Sequence, residues 1–137
     1  MADRARKVAY YSMNVPNRPG EGARILGALA DAGVNLLAFT GFPAGGKAQI
    51  DFIPEKATTF SAAARNAKIR VSAKKIGFLI QGKDRKGAVA RVLGKLAKSK
   101  INVTAIDALS AGKGRYGAIL WVKAKDVNKA AKALRAS

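Results

Sequence analysis

The chain has 137 residues, 49% of them hydrophobic, enough for one compact domain or two small ones with a real core rather than a disordered segment. It has no cysteine and no histidine, so the usual zinc and redox-metal ligands, the thiol nucleophile and the common neutral-pH acid/base group are missing, which excludes transition-metal sites, cysteine catalysis and disulfides. With 26 Lys and Arg against 8 Asp and Glu, the net charge of +18 favours anionic partners.

Arg4, Arg6 and Lys7 ahead of the apolar run Val8–Met13 imitate the start of an export signal, but Asn14, Pro16 and Asn17 interrupt it. Neither an export signal nor a membrane span is expected, and a cytoplasmic location agrees with the absence of cysteine. Val8–Val15 reads as a strand with one buried face, its apolar alternate positions being Ala9, Tyr11, Met13 and Val15. Gly22, Ile25, Leu26 and Leu29 then fall at i, i+3, i+4 and i+7 and predict a helix of about three or four turns. Pro19 suits its first position and Gly33 its stop.

Asn35–Phe42 and Lys47–Ile53 read as second and third strands around the turn Ala44-Gly45-Gly46, and Phe60, Ala63, Ala64 and Ala67 carry the stripe of a second helix. Ile69–Ala73 is expected to add a last strand.

The pattern then starts again. Residues 8–70 and 75–137 superimpose at a constant offset of 67 without a gap, bringing Arg18, Gly20, Ala23, Arg24, Leu26, Gly27, Leu29, Ala30, Asn35 and Ala38 onto identical residues from Arg85 to Ala105. Lys75–Gly82, Asn102–Leu109 and Tyr116–Val122 are the corresponding strands. Val89, Val92, Leu93 and Leu96 mark one helix, and Val127, Ala130, Ala131 and Leu134 the other. The plan is α+β: two ferredoxin-like βαββαβ repeats, each an antiparallel sheet with both helices on one face, expected over residues 1–73 and 74–137. Ser137 corresponds to Arg70, so the second copy lacks its last strand, and the edge of Lys75–Gly82 calls for cover from Ile69–Ala73 or from another subunit.

The loop Val15-Pro16-Asn17-Arg18-Pro19-Gly20, with Ile25, Leu26 and Gly33-Val34-Asn35 behind it, resembles the ACT domain, a regulatory module that commonly binds amino acids. Read twice, the chain is similar to a tandem ACT protein. The nearest local likeness is to the serine-binding regulatory domain of phosphoglycerate dehydrogenase, and it implies ligand contacts from Asn17 and Asn35. The histidine that this family places two residues before the loop asparagine is Val15 here. The resemblance also implies a homodimer with domains paired edge to edge, and effectors at domain junctions.

The residues support binding on their own. A helix start offers unpaired N–H groups to a carboxylate, Gly20 permits close approach, and the Asn17 and Asn35 amides both donate and accept. The same asparagines also suit a helix cap and a turn, the purely structural alternative. The candidate set is therefore Asn17, Arg18, Pro19, Gly20 and Asn35, with Asp84, Arg85, Gly87 and Asn102 as a degenerate second copy. There Lys86 replaces the proline, and Asp84 replaces the asparagine as a cap or an acceptor for an ammonium group.

A competing constellation is cationic. Arg91, Lys95 and Lys98 lie opposite one apolar stripe and Lys125, Lys129 and Lys132 opposite another, a face able to attract nucleic-acid phosphates, weakly and without sequence preference. Solvated helices carry such charges anyway, and no aromatics interleave to stack on bases. Residues 68–137 hold 18 Lys and Arg against 3 acids, so most of the field belongs to the second copy. Gly45-Gly46-Lys47 and Gly112-Lys113-Gly114 lack the spacing of a phosphate-binding loop and read as hairpin turns. The dispersed carboxylates give no paired acid and base. The sequence thus points to a non-enzymatic, cofactor-free sensor of a small amino acid or related metabolite, with a basic adaptor or nucleic-acid binder as the alternative.

Overall fold

Period-two alternation and 3.6-residue stripes take turns along this chain, and the elements follow them. The structure is a computed structural model that describes residues 3–137. It contains β1 (Arg4–Pro16), α1 (Glu21–Asp31), β2 (Leu36–Ala44), β3 (Lys47–Pro54), α2 (Ala57–Asn66), β4 (Lys75–Lys83), α3 (Ala88–Lys98), β5 (Val103–Gly112), β6 (Arg115–Val122), one 3₁₀ turn (Ala124–Asp126) and α4 (Val127–Leu134). Two compact units result: Ala9–Lys75, and Ile76–Ser137 together with the residues up to Val8.

In the first unit the sheet order is β2-β3-β1, and β3 pairs antiparallel with both neighbours. Ile25 and Leu29 of α1 and Phe60 and Ala63 of α2 pack with Tyr11, Val15, Ile50 and Phe52, so both helices cover one face. Phe60 is the centre of this layer, stacked on Tyr11 at 4.7 Å and tilted on Phe52 at 5.4 Å between ring centroids. On the opposite face the buried Asp51 carboxylate accepts from the Thr40 hydroxyl at 2.8 Å and the Gln49 amide at 3.3 Å.

Ile69–Ala73 does not form the expected strand. The segment lies beside β1, where Ser72 donates its N–H to the Ser12 carbonyl at 2.8 Å, but the Ser12 N–H goes to the Ser72 hydroxyl at 3.0 Å. A side-chain oxygen has taken the position of a ladder carbonyl, and the ladder stops after one rung.

In the second unit the order is β1-β4-β6-β5, with β6 antiparallel to β4 and β5. Val92 and Leu96 of α3 and Ala130 and Leu134 of α4 pack on Phe78, Ile80, Ala118 and Leu120. Among the described residues no strand follows α4. The place beside β4 is filled by the first residues of β1, whose Ala5 belongs to the same core. Ser137 closes over them, donating its N–H to the Ala5 carbonyl at 3.1 Å and accepting the Lys7 N–H at 3.0 Å. The cover for β4 is therefore neither Ile69–Ala73 nor a second subunit. It comes from residues too polar for apolar alternation to reveal, because only Ala5 and Val8 among residues 4–8 are buried. The sheet also departs from one-sided burial: Leu79, Ile119 and Trp121, on the face away from the helices, are all at most 8% exposed.

Helix ends obey the backbone. Pro19 sits in the turn before α1 rather than in it, because Gly20 adopts the left-handed conformation at φ 88° as the N-cap and the helix starts at Glu21. At the other end Gly33, φ 82°, donates to the Ala30 carbonyl and Val34 donates to the Leu29 carbonyl, a Schellman closure. The other three helices close in the same way with Lys68, Lys100 and Arg135 in the left-handed position.

Candidate ligand site

The two β-α loops are built alike and finished differently. In the second unit, Gly87 takes φ 81° as the N-cap of α3, a conformation that glycine adopts without Cβ strain, and no side chain caps the helix. Over this first turn opens a cleft of about 350 Å³, walled by Asp84, Arg85 and Gly87 of the loop, Ala88–Ala90 of α3, Ala108–Ser110 of β5 and Tyr116 of β6. Asn102 is not part of that wall.

Tyr116 is 4% exposed, and its buried hydroxyl lies close to the Asp3 carboxylate without completing a well-formed hydrogen bond to any group. Burial, reinforced by the nearby Asp3 carboxylate, pushes its pKa up to about 12. Arg85 donates from Nη1 to an Asp3 carboxylate oxygen at 3.1 Å and from Nη2 to the other at 3.4 Å, and Nη1 also reaches the Lys83 carbonyl at 2.8 Å. Burial raises the Asp3 carboxyl, but the hydrogen bond and charge of Arg85, helped by Tyr116, outweigh it and hold the group below its ordinary value. An uncapped helix start, a guanidinium, an unpartnered hydroxyl and the Asp84 carboxylate thus meet around one opening. Such a set can hold the two opposite charges of a zwitterion.

The first unit presents less. Asn17, Arg18, Pro19 and Gly20 are exposed, and α1 carries an acid at its start: Glu21 accepts from Arg18 Nε at 3.2 Å and from Arg24 at 2.8 Å. Those hydrogen bonds, Arg24 first, lower the Glu21 pKa. Asn35 is also exposed and lines a separate cleft of about 100 Å³ with Gly33, Val34, Glu55, Lys56 and Thr59, a wall that includes none of residues 17–20.

The candidate cationic residues lie on α3, the 3₁₀ turn and α4 of the second unit. Arg91, Lys98, Lys125, Lys129 and Lys132 are exposed and Lys95 is half-buried. Neither α3 nor α4 contains an acid. No cluster of three or more acidic, histidine or cysteine side chains suited to a metal occurs among the described residues, and no helix among them is long and apolar enough to cross a membrane.

Sequence reasoning missed Asp3 and Tyr116. Their signal is the pairing of Gly82 with Tyr116 across β4 and β6, a glycine facing an aromatic, which is visible only once the register is known.

Comparison with known proteins places these features in a family context. Residues 78–136 match the ACT domain family. No curated protein matches the sequence significantly. Among solved structures, a protein from Bacteroides thetaiotaomicron superimposes with a TM-score of 0.82 at 17% identity, covering 96% of this chain and 88% of that one. The ligand-free regulatory subunit of aspartate kinase from Thermus thermophilus gives 0.65 at 16% identity over 98% and 93%. The regulatory subunit of aspartate kinase from Thermus flavus gives 0.62 at 17% identity over 98% and 94%. At these identities the likeness is one of fold.

Proposed function

We propose that the chain, whose residues 78–136 match the ACT domain family, is a non-enzymatic regulatory sensor that binds a small amino acid or related metabolite in the cleft at the start of α3. The observation that carries this reading is the buried, unpartnered Tyr116 hydroxyl in the wall of that cleft, beside a helix start that no side chain caps. A ligand carboxylate supplies the missing acceptor and sits in the field of the helix start and Arg85, while Asp84 faces the ammonium group. The fold shared with a regulatory subunit of aspartate kinase supports a regulatory role over a catalytic one.

The principal site is thus assigned to the second copy, reversing the order given by sequence alone, because Glu21 already occupies the start of α1 and the wall around Asn35 excludes Asn17. The set Asn17, Arg18, Pro19, Gly20 and Asn35 is retained as a secondary site. A homodimer fits the sheet edges at β2 and β5, which carry exposed Phe42 and Leu109. The deciding experiment is a thermal-shift screen of the proteinogenic amino acids. A ligand at about 100 times its Kd stabilises the fold by about 2.7 kcal/mol. A screen in which no amino acid shifts the melting transition overturns the reading.

A basic adaptor or nucleic-acid binder is the second reading, favoured by one observation: the absence of any acid from α3 and α4.

A further inference from the structure

We propose that Asp3 is a built-in competitor for the ligand carboxylate: it holds the Arg85 guanidinium, and a ligand entering the α3 cleft displaces it and releases the adjoining residues 4–8. This regulation rests on reading that cleft as the ligand site.

Arg85 lines the cleft, yet both of its terminal nitrogens are engaged by Asp3. A guanidinium presents its paired donors to one carboxylate at a time in this fork geometry, so an incoming carboxylate and Asp3 are alternatives. The Asp3 side chain is only 6% exposed, and its berth is built for it. Gly82 lies beneath, and a Cβ there would collide with the Asp3 carboxylate and stand 2.9 Å from Tyr116 Cε1. The same spot therefore brings together the competitor, the guanidinium and the unpartnered hydroxyl.

Residues 4–8 are lightly fastened on their outer side. Beyond β4 they meet Ser137, through the Lys7 and Ser137 N–H bonds. Loss of the Asp3–Arg85 pair leaves them held by the buried Ala5 and Val8, by their pairing with β4 and by these backbone bonds, with nothing fixing the end next to Asp3. Because the same strand runs on to Pro16, its release reaches residues outside the cleft.

The test is calorimetry of the full chain with sodium acetate, as the bare carboxylate, and with each proteinogenic amino acid, alongside hydrogen exchange. Asp3→Asn is expected to bind the same probes several-fold tighter, about 3- to 10-fold. The gain is expected to vanish in an Arg85→Gln background, as coupling through one group requires. Saturating probe should speed exchange at the Lys7 and Ser137 amides and leave Ala118–Leu120, paired on both sides by β4 and β5, protected. Binding that is equally tight in wild type and Asp3→Asn overturns the competitor and leaves the sensor standing. Absence of binding by every probe in both proteins overturns the sensor and the competitor with it. Should Asp3→Asn lose protection at Ala118–Leu120, wild-type exchange decides alone, and unchanged Lys7 and Ser137 amides overturn the proposal.

Discussion

Glu21 and Ala88 occupy equivalent positions, the first residues of α1 and α3, and fill them in opposite ways. Glu21 brings its own anion to the helix start and shares it with Arg18 and Arg24, whereas Ala88, 5% exposed, leaves the start of α3 open beneath a cleft. Since helix starts favour negative charge, one copy is satisfied internally and the other by what binds there.

Placing the acid in the second copy should close its site. Ala88→Glu is expected to lower ligand affinity by about tenfold or more, roughly 1.4 kcal/mol, as measured by calorimetry. Glu21→Ala should leave that affinity unchanged. An unaltered affinity in Ala88→Glu moves the site away from α3.

Tyr116→Phe should divide stability from function. Removing a buried hydroxyl that lacks a partner is expected to raise the stability of the free protein by about 1 kcal/mol in urea unfolding, while weakening ligand binding. If the hydroxyl contributes nothing to binding, affinity will be unchanged while stability still rises.

The pH dependence arises from two groups of opposite sense. The Asp3 pKa is lowered by folding, so its contribution is fully present above the ordinary value of 3.8 and is lost as pH falls through the folded pKa. The Tyr116 pKa is raised from 10.0 to about 12, so its contribution is present below the ordinary value and is lost as pH rises through about 12. Denaturant titrations at acid pH should show a shallower stability loss in Asp3→Asn than in wild type. Phenolate absorbance should show a tyrosine titrating near 12 that disappears in Tyr116→Phe, beside Tyr10, whose pKa burial also raises.

Lys100 closes α3 at φ 58°, with Lys100 N–H on the Ala97 carbonyl at 2.9 Å and Ile101 N–H on the Leu96 carbonyl at 3.0 Å. A Cβ is disfavoured there. Lys100→Gly should therefore stabilise the protein by about 1 kcal/mol in thermal unfolding, despite removing a side chain, and a loss of stability would show that lysine contacts matter more than backbone strain.

The face made by Arg91, Lys95, Lys98, Lys125, Lys129 and Lys132 should retain duplex DNA at low salt only. Log affinity is expected to fall by about 0.9 per phosphate contacted for each log unit of salt, leaving little binding near physiological ionic strength. A sequence-selective complex that survives there would favour the second reading over the sensor.

What the sequence disclosed depended on range. The repeat, the helices and the stop at Gly33 were legible because stripes, identities and a glycine in the left-handed position are local signals. The stops at Lys68, Lys100 and Arg135 were not, since tertiary packing there overrides a residue type that does not advertise the conformation. Nor was the fourth strand of the second unit. Asp3 and Arg85 lie 82 positions apart, and residues 4–8 resemble a charged preamble until β4 is placed beside them. The cleft was hidden for the same reason, because Tyr116 reads as one more strand residue.

The placement of residues 4–8 also sets an order of events during synthesis. The ribosome delivers these residues well before the strands and helices they complete, Lys75 to Leu134. The unit of Ala9–Lys75 has all its elements once residue 75 has emerged, whereas the other must hold its first-made strand unmatched through the whole of that interval. Closure then spans the whole of the intervening Ala9–Lys75 unit, a contact of high order that should make the docking of residues 4–8 the slow step of maturation.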